Sequence, residues 1–326
     1  MAASSAFLLL VCAAACSTEE QQGAHSASAE MQPEVFTFAP PDGTKGVRTE
    51  HRRFEASIIG APLRSLEEQE LRWNMEAKHT GDQYTINQEL AHVTLKHDGE
   101  TVVDADVKPG SVVAQLIIDK AGNLVDVRGM EGTAKTLLGM LPPKLDSMTQ
   151  KMAEKDLSPQ TLRAEIATRY EETLGDIVGR PTKVGTSWTT QGRPGGPVIS
   201  RTLGVEKMEP CGQAICSRIQ AVYKLNPRTM LTVADDVIAK YARMVGHAPS
   251  KMDMQAATYS MQGSLLTEPA TMINHAATLD ETGKVMFEDH KKPMEIDLQG
   301  KTDMTFEYGT QVSTTGVASP SVAAQP

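Results

Sequence analysis

Through much of this chain every second residue is apolar, a period that belongs to strands with one dry and one wet face. In Leu71, Trp73, Met75 and Ala77 the apolar or small side chains are interleaved with Arg72, Asn74, Glu76 and Lys78. Thr80-Gly81-Asp82 reads as a turn, and Tyr84 and Ile86 open the return strand. The apolar phase then slips between Leu90 and Val93, which predicts a bulge near Ala91 or His92. Hairpins are expected at His97-Asp98-Gly99 and at Asp119-Lys120-Ala121-Gly122-Asn123, the second joining strands at 112–118 and 124–127. Ile199, Leu203 and Val205 pair in pattern with Ile219, Ala221, Tyr223 and Leu225, a hairpin with Cys211 and Cys216 at its tip. The last strand is the clearest: Met294, Ile296, Leu298, Met304, Phe306 and Tyr308 on one side, and Glu295, Asp297, Gln299, Lys301, Asp303 and Glu307 on the other. At about 3.4 Å per residue it would run roughly 50 Å, a length suited to a curved sheet or half-barrel.

Near Gly132 the period lengthens. Leu137, Leu141, Leu145, Met148 and Met152 recur at helical spacing, with Pro142-Pro143 as an interruption. A second helix has Ser158 as cap, Pro159 in its first turn, a stripe of Leu162, Ile166, Tyr170, Leu174 and Ile177, and Gly179 as its end. A third has Asn226 as cap, Pro227 at its first position, a stripe of Met230, Val233, Val237, Tyr241 and Val245, and Gly246 as stop. The pattern predicts an α+β fold: a long antiparallel curved sheet or half-barrel with three amphipathic helices packed on its apolar face. If a space remains between them, its apolar lining is expected from Leu141, Met148, Met152, Ile166, Tyr170, Tyr241, Met304 and Phe306. Asp280-Glu281-Thr282-Gly283-Lys284-Val285 repeats the Asp119 turn in kind, which suggests two related β units at 34–180 and 181–310.

Charge narrows the partners. The net charge of −9 is carried wholly after residue 16, because residues 1–16 hold no charged side chain. Such a body lacks the basic footprint that nucleic acid or an anionic lipid surface requires.

An apolar run from Ala6 to Val11 leads into Ala13-Ala14-Ala15-Cys16-Ser17. About ten apolar residues are too few to span a bilayer, which takes roughly twenty, so the run reads as an export signal. Its end resembles the lipobox of bacterial lipoproteins. That resemblance implies removal of residues 1–15 and acylation of Cys16, with simple cleavage after Ala15, or no cleavage, as the alternatives. It also implies a membrane partner through the lipid anchor, and Ser17 directs such proteins to the outer membrane, facing the periplasm or the cell surface. Residues 16–33 then form a flexible linker, 34–310 a β-rich body, and 311–326, which lack charged side chains, a disordered tail. Pro181-Thr182-Lys183-Val184-Gly185-Thr186-Ser187-Trp188 resembles a phrase, Pro-x-Lys-Val-Gly-x-x-Trp, of exported β-rich bacterial proteins of uncharacterised function, where it introduces a new set of strands.

Of four cysteines, Cys12 leaves with the signal and Cys16 is acylated on this reading, so Cys211 and Cys216 remain as one pair. In an oxidising compartment a disulfide is expected, with a redox or metal pair as the alternative. His92 and His97 fall on opposite faces of a strand, which disfavours a metal pair. Asp104 and Asp106 share a face and read as a solvated acidic edge or a calcium pair. Seventeen Met accompany fourteen aromatic residues. Met fills irregular cores and also lines adaptable apolar pockets, and Met252-Asp253-Met254 has the thioethers that suit Cu(I). Hydrolase elbows, zinc-protease helices, phosphate loops and EF-hand loops are missing from the sequence. The expected function is that of a non-enzymatic envelope lipoprotein without cofactor, holding a lipid or other apolar ligand. A protein-interaction or structural element and an unrecognised hydrolase are the alternatives. The curved sheet with its helices is similar to half-barrel carriers of lipids and lipoproteins.

Overall fold

A computed structural model describes residues 33–59, 64–140, 157–192, 198–226, 252–289 and 292–308, with 150, 154 and 155 besides. Among the described residues twelve strands make one antiparallel sheet: β1 (Lys45–Ile58), β2 (Arg64–Thr80), β3 (Gln83–His97), β4 (Glu100–Asp106), β5 (Val113–Asp119), β6 (Leu124–Arg128), β7 (Ser187–Gln191), β8 (Val198–Cys211), β9 (Ala214–Leu225), β10 (Met252–Thr267), β11 (Asn274–Asp289) and β12 (Lys292–Tyr308). The spatial order is β6-β5-β3-β2-β1-β12-β11-β10-β9-β8-β7, with β4 paired to the side of β3. Sequential strands are neighbours except β4 and β5, which both pair with β3, and β6 and β7, which form the two edges; the first and last strands close the middle, where β1 and β12 run in register from Gly46 against Tyr308 to Ile58 against Ile296. The strands before and after residue 180 therefore belong to one sheet, joined through β1 and β12.

Alternation on β12 is as the sequence suggests, with Ile296, Leu298, Gly300, Thr302 and Met304 buried in one phase. The bulge falls at Ala91: Arg72 pairs with His92 and Trp73 with Leu90, so Ala91 is the extra residue. The three expected hairpin turns of the first half also form. At the start of β8 the phase differs from expectation. A register shift between Val198 and Ser200 buries Val198 and leaves Ile199 exposed.

A larger correction concerns Asp280-Glu281-Thr282-Gly283-Lys284-Val285. It is no turn: β11 runs straight through it, paired with β10 on one side and β12 on the other. The glycine that suggested a turn serves instead to admit an aromatic ring from β10, since a Cβ at Gly283 would lie 2.6 Å from Tyr259 Cδ2. The motif thus lends no support to two related units.

Two α-helices are described rather than three. α1 (Met130–Gly139) starts earlier than the stripe implied, directly after Gly129 at φ 91°, and buries Met130, Ala134 and Leu137. Leu141, Leu145, Met148 and Met152 lie outside the described residues, as does the third helix expected after Asn226. α2 (Pro159–Tyr170) is capped as expected, the Ser158 hydroxyl accepting from the Thr161 amide at 3.2 Å, with Pro159 in the first turn. One π-helical turn, Glu171–Gly175, continues it.

Both helices cover the apolar side of the sheet near β5 and β6. One cluster unites Leu71 and Trp73 of β2, Ile118 of β5, Leu203 of β8, Ile219 of β9, Leu279 of β11 and Met304 of β12 with Met130, Leu137, Leu162 and Tyr170 of the helices. Residues from opposite ends of the strand order meet there, so the sheet is curved around its core. The segment entering β1 crosses this space: Phe36 N donates to Arg180 O, and Thr37 and Ala39 amides to Pro269 and Thr271 carbonyls. The Pro181-to-Trp188 phrase fastens the end of the helical layer to β7, with the Trp188 indole donating to Asp176 O at 3.0 Å and the Thr190 hydroxyl to its carboxylate at 2.7 Å.

Candidate functional site

Between the sheet and α2 lies a cavity of about 180 Å³. Its floor is the inner face of the sheet, Ala77 (β2), Ile86 (β3), Leu116 and Ile118 (β5), Ala277 (β11), Met304 and Phe306 (β12). Ile166, Tyr170 and Leu174 form the roof from α2 and the π turn, and Phe38 closes one wall. The aromatic wall is tied down. Phe38 meets Tyr84 and Tyr170 edge to face at 5.3 and 6.2 Å, and the Tyr170 hydroxyl donates to Gly122 O at 2.8 Å. Burial, with Asp119 nearby, raises the Tyr170 pKa well above the phenol range, so at ordinary pH it acts only as a neutral hydrogen-bonding group.

Two arginines interrupt the apolar lining. Arg48 of β1 and Arg169 of α2 both reach it, with Gln88 of β3 between strands. Arg48 is placed from three sides: its guanidinium stacks 5.0 Å from the Trp73 ring centroid, donates to Gln88 Oε1 at 3.4 Å, and lies 4.0 Å from Glu50. Arg169 donates to Glu165 Oε1 one turn back on α2 at 3.0 Å. The cavity therefore combines an apolar body with two arginines, each beside a carboxylate, and Glu76 also lies on its lining.

Arg48 begins a line of buried charge along the inner face of β1 that apolar alternation gave no hint of. Glu50 is 1% exposed, and Arg52, beyond it, donates to Glu281 Oε2 of β11 at 3.4 Å. Tyr259 of β10 also faces Glu281, and burial together with that carboxylate raises its pKa far above the phenol range. Gly300 makes room: a Cβ there would lie 2.5 Å from Glu281 Oε2.

Of the residues expected to line a cavity, Ile166, Tyr170, Met304 and Phe306 come together around this one. Leu141, Met148, Met152 and Tyr241 fall outside the described residues, as does Cys16. Met252 to Met254 belong to β10. Asp104 and Asp106 both face His92 of β3, whose Nδ1 is 2.9 Å from Asp106 and whose Nε2 is 3.0 Å from Asp104. The hydrogen bond to Asp106, helped by Asp104, raises the His92 pKa against the opposing effect of desolvation. These carboxylates thus have an imidazole partner, and His97 points instead toward Asp98 at 3.3 Å. Cys211 and Cys216 are joined as a disulfide closing the β8–β9 hairpin, Cα atoms 5.8 Å apart. Sequence spacing did not show its neighbour: His275 of β11 brings a ring nitrogen within 4.8 Å of both sulfurs.

No family model matches this chain, and no curated protein matches it. Among solved structures it is similar to a β-barrel-like protein of domain of unknown function DUF1849 from Brucella abortus, with 10% identity over 83% of this chain and 98% of the other at a TM-score of 0.20. A DUF1329 family protein from Desulfovibrio piger shares 9% identity over 82% of this chain and 87% of its own, TM-score 0.16. OccK5 of Pseudomonas aeruginosa shares 8% over 82% and 99%, TM-score 0.20. Likeness at this level bears neither on ligand nor on chemistry.

Proposed function

We propose that this chain is a lipid-anchored envelope protein that binds one slender apolar ligand between its curved sheet and α2, and does no chemistry on it. The cavity carries this reading: about 180 Å³, walled mainly by aliphatic and aromatic side chains, with Arg48, Arg169, Gln88 and Glu76 among its polar lining residues. An engineered apolar void of about 150 Å³ accepts benzene, so the space suits a short acyl chain or a small ring system rather than a whole diacyl lipid. An acidic or carbonyl end group would lie against Arg48. The anchor rests on the lipobox-like Ala13-Ala14-Ala15-Cys16, because two or more acyl chains at Cys16 would hold the body at the membrane.

Native mass spectrometry of the tag-free protein purified from its own envelope tests both parts. The expected spectrum shows one small apolar molecule per chain and an acylated N-terminal Cys16 peptide. A ligand-free body would remove the first part and a bare, uncleaved N-terminus the second. A second reading, docking of a partner protein, is favoured by one observation: a polar groove of about 230 Å³ lined by Arg53, Glu68, Glu70, Lys96, Lys301 and Asp303 on the sheet's other face.

A further inference from the structure

The Cys211–Cys216 disulfide has company that a purely structural staple does not need. Cys211 ends β8, Cys216 sits on β9, and His275 arrives from β11, on the far side of β10. One ring nitrogen of His275 and the two sulfurs lie within 4.8 Å of one another. Both cysteines are buried, Cys216 completely, while the His275 side chain keeps about a fifth of its surface open. Leu266, Ala214 and Ala276 pack around the sulfurs.

The imidazole is also held from behind. His275 Nε2 donates to Glu268 Oε1 at 2.9 Å, and Glu268 in turn accepts from the Thr271 hydroxyl at 2.6 Å. The edge of Tyr308 contacts the ring at a centroid distance of 5.8 Å. Donation from Nε2 fixes the tautomer that carries its free lone pair on Nδ1, the carboxylate-to-histidine arrangement that supports metal-ligating imidazoles.

We propose that the reduced protein binds one zinc ion through Cys211 Sγ, Cys216 Sγ and His275, so that the hairpin tip alternates between a disulfide and a metal site. Going from one to the other balances as follows. An external dithiol supplies two electrons and two protons, splits the disulfide into two thiols and leaves as its own disulfide. Zn²⁺ then displaces both thiol protons to solvent and takes the imidazole lone pair, with water in the fourth position. Zinc bond lengths of about 2.3 Å to sulfur and 2.0 Å to nitrogen place tetrahedral ligands roughly 3.5 to 3.8 Å apart. Three donors already gathered within 4.8 Å reach that spacing by side-chain rotation once the disulfide opens. His275 follows Cys211 by 64 positions and Cys216 by 59, so only the pairing of β9, β10 and β11 creates the set.

The test uses the full chain with Cys12→Ser and Cys16→Ser, so that no other thiol competes. Reduced with dithiothreitol and desalted without oxygen, it is titrated with Co²⁺ and then Zn²⁺. The expected result is a thiolate-to-cobalt charge-transfer band saturating at one ion per chain, lost on adding Zn²⁺ and missing from the disulfide form. His275→Ala is expected to weaken Zn²⁺ at least tenfold, and Glu268→Gln by about ten- to a hundredfold. Protection of Cys211 and Cys216 from iodoacetamide by Zn²⁺ in the otherwise unaltered chain gives a readout independent of variant folding. No saturable band and no protection would overturn the proposal, as would His275→Ala binding like its parent or equal zinc uptake by the disulfide form.

Discussion

Tyr259 of β10 lies over Gly283 of β11, its partner in the register, so closely that a methyl group at 283 would stand 2.6 Å from ring carbon Cδ2 and 2.9 Å from Thr258 O. The arrangement recurs along the middle of the sheet. Gly46 faces Tyr308 and Gly300 faces Phe54 across β1 and β12; a Cβ at Gly46 would stand 2.8 Å from a Tyr308 ring carbon, and one at Gly300 3.3 Å from a Phe54 ring carbon. Glycines opposite rings let long strands coil without a clash while the ring covers the exposed backbone, which explains how strands of 14 to 17 residues curve around a single core.

Gly283→Ala should therefore cost about 1–3 kcal/mol in urea unfolding through overpacking. In a Tyr259→Leu background the same change should cost less, because the ring is the main obstacle. Equal stability of Gly283→Ala and the parent would remove the close approach as a determinant of curvature.

Arg52 and Glu281 make a second linkage between strands, their side chains about nine-tenths buried and 3.4 Å apart. Removing Glu281 takes a carboxylate partner from a buried guanidinium, so Glu281→Ala is expected to destabilise by about 3–5 kcal/mol. Replacing both, as Arg52→Met with Glu281→Leu, should recover most of that loss, since an apolar pair needs no compensation for lost hydration. If the double variant is no more stable than Glu281→Ala, the pair is needed for specific contacts beyond its own charge balance.

These charges mark the boundary of what alternation reveals. The chain shows its strands openly wherever burial and period agree, as in β2, with Leu71, Trp73 and Ala77 buried, and in β12. It shows the α2 cap because Ser158 and Pro159 act locally. Arg48, Glu50 and Arg52 occupy inward positions of β1 but look like a wet face, because their compensation comes from Trp73, Gln88 and Glu281, remote in sequence. Gly283 misled for the same reason: a glycine beside Asp, Glu and Lys has the composition of a turn, and only the Tyr259 ring gives it another purpose. The cavity was half legible, since Ile166, Tyr170, Met304 and Phe306 stand on stripes, whereas its Arg48 end could not be inferred from hydropathy.

Asp119 supplies a pH-dependent contribution. Its carboxylate accepts from the side chain and amide of Asn123 and from the Ala121 amide at 2.8 to 2.9 Å. The Asn123 side-chain bond, with the backbone donors, lowers its pKa below the ordinary aspartate value. A depressed folded-state pKa means stability that is complete above the unfolded value and is lost as pH falls through the folded one. Asp119→Ala should thus lower stability at neutral pH by about 1 kcal/mol and flatten the acid limb below about pH 4. Parallel urea titrations at neutral and acid pH check it; an unchanged acid limb would show that the turn does not depend on this charge.

Ala277 gives the sharpest separation between a packing defect and a binding site. It is buried, lines the cavity floor, and pairs in register with Met304. Filling a void with a larger aliphatic side chain commonly stabilises by about 0.5–2 kcal/mol, so Ala277→Leu should raise the melting temperature. On the binding reading it should also displace the co-purifying molecule, and Arg48→Met should weaken retention of acid-ended ligands while leaving neutral ones bound. Native mass spectra of the three proteins side by side distinguish the outcomes. A stabilised Ala277→Leu that still carries its full complement of ligand would place the ligand elsewhere, because two occupants cannot share a space of this size.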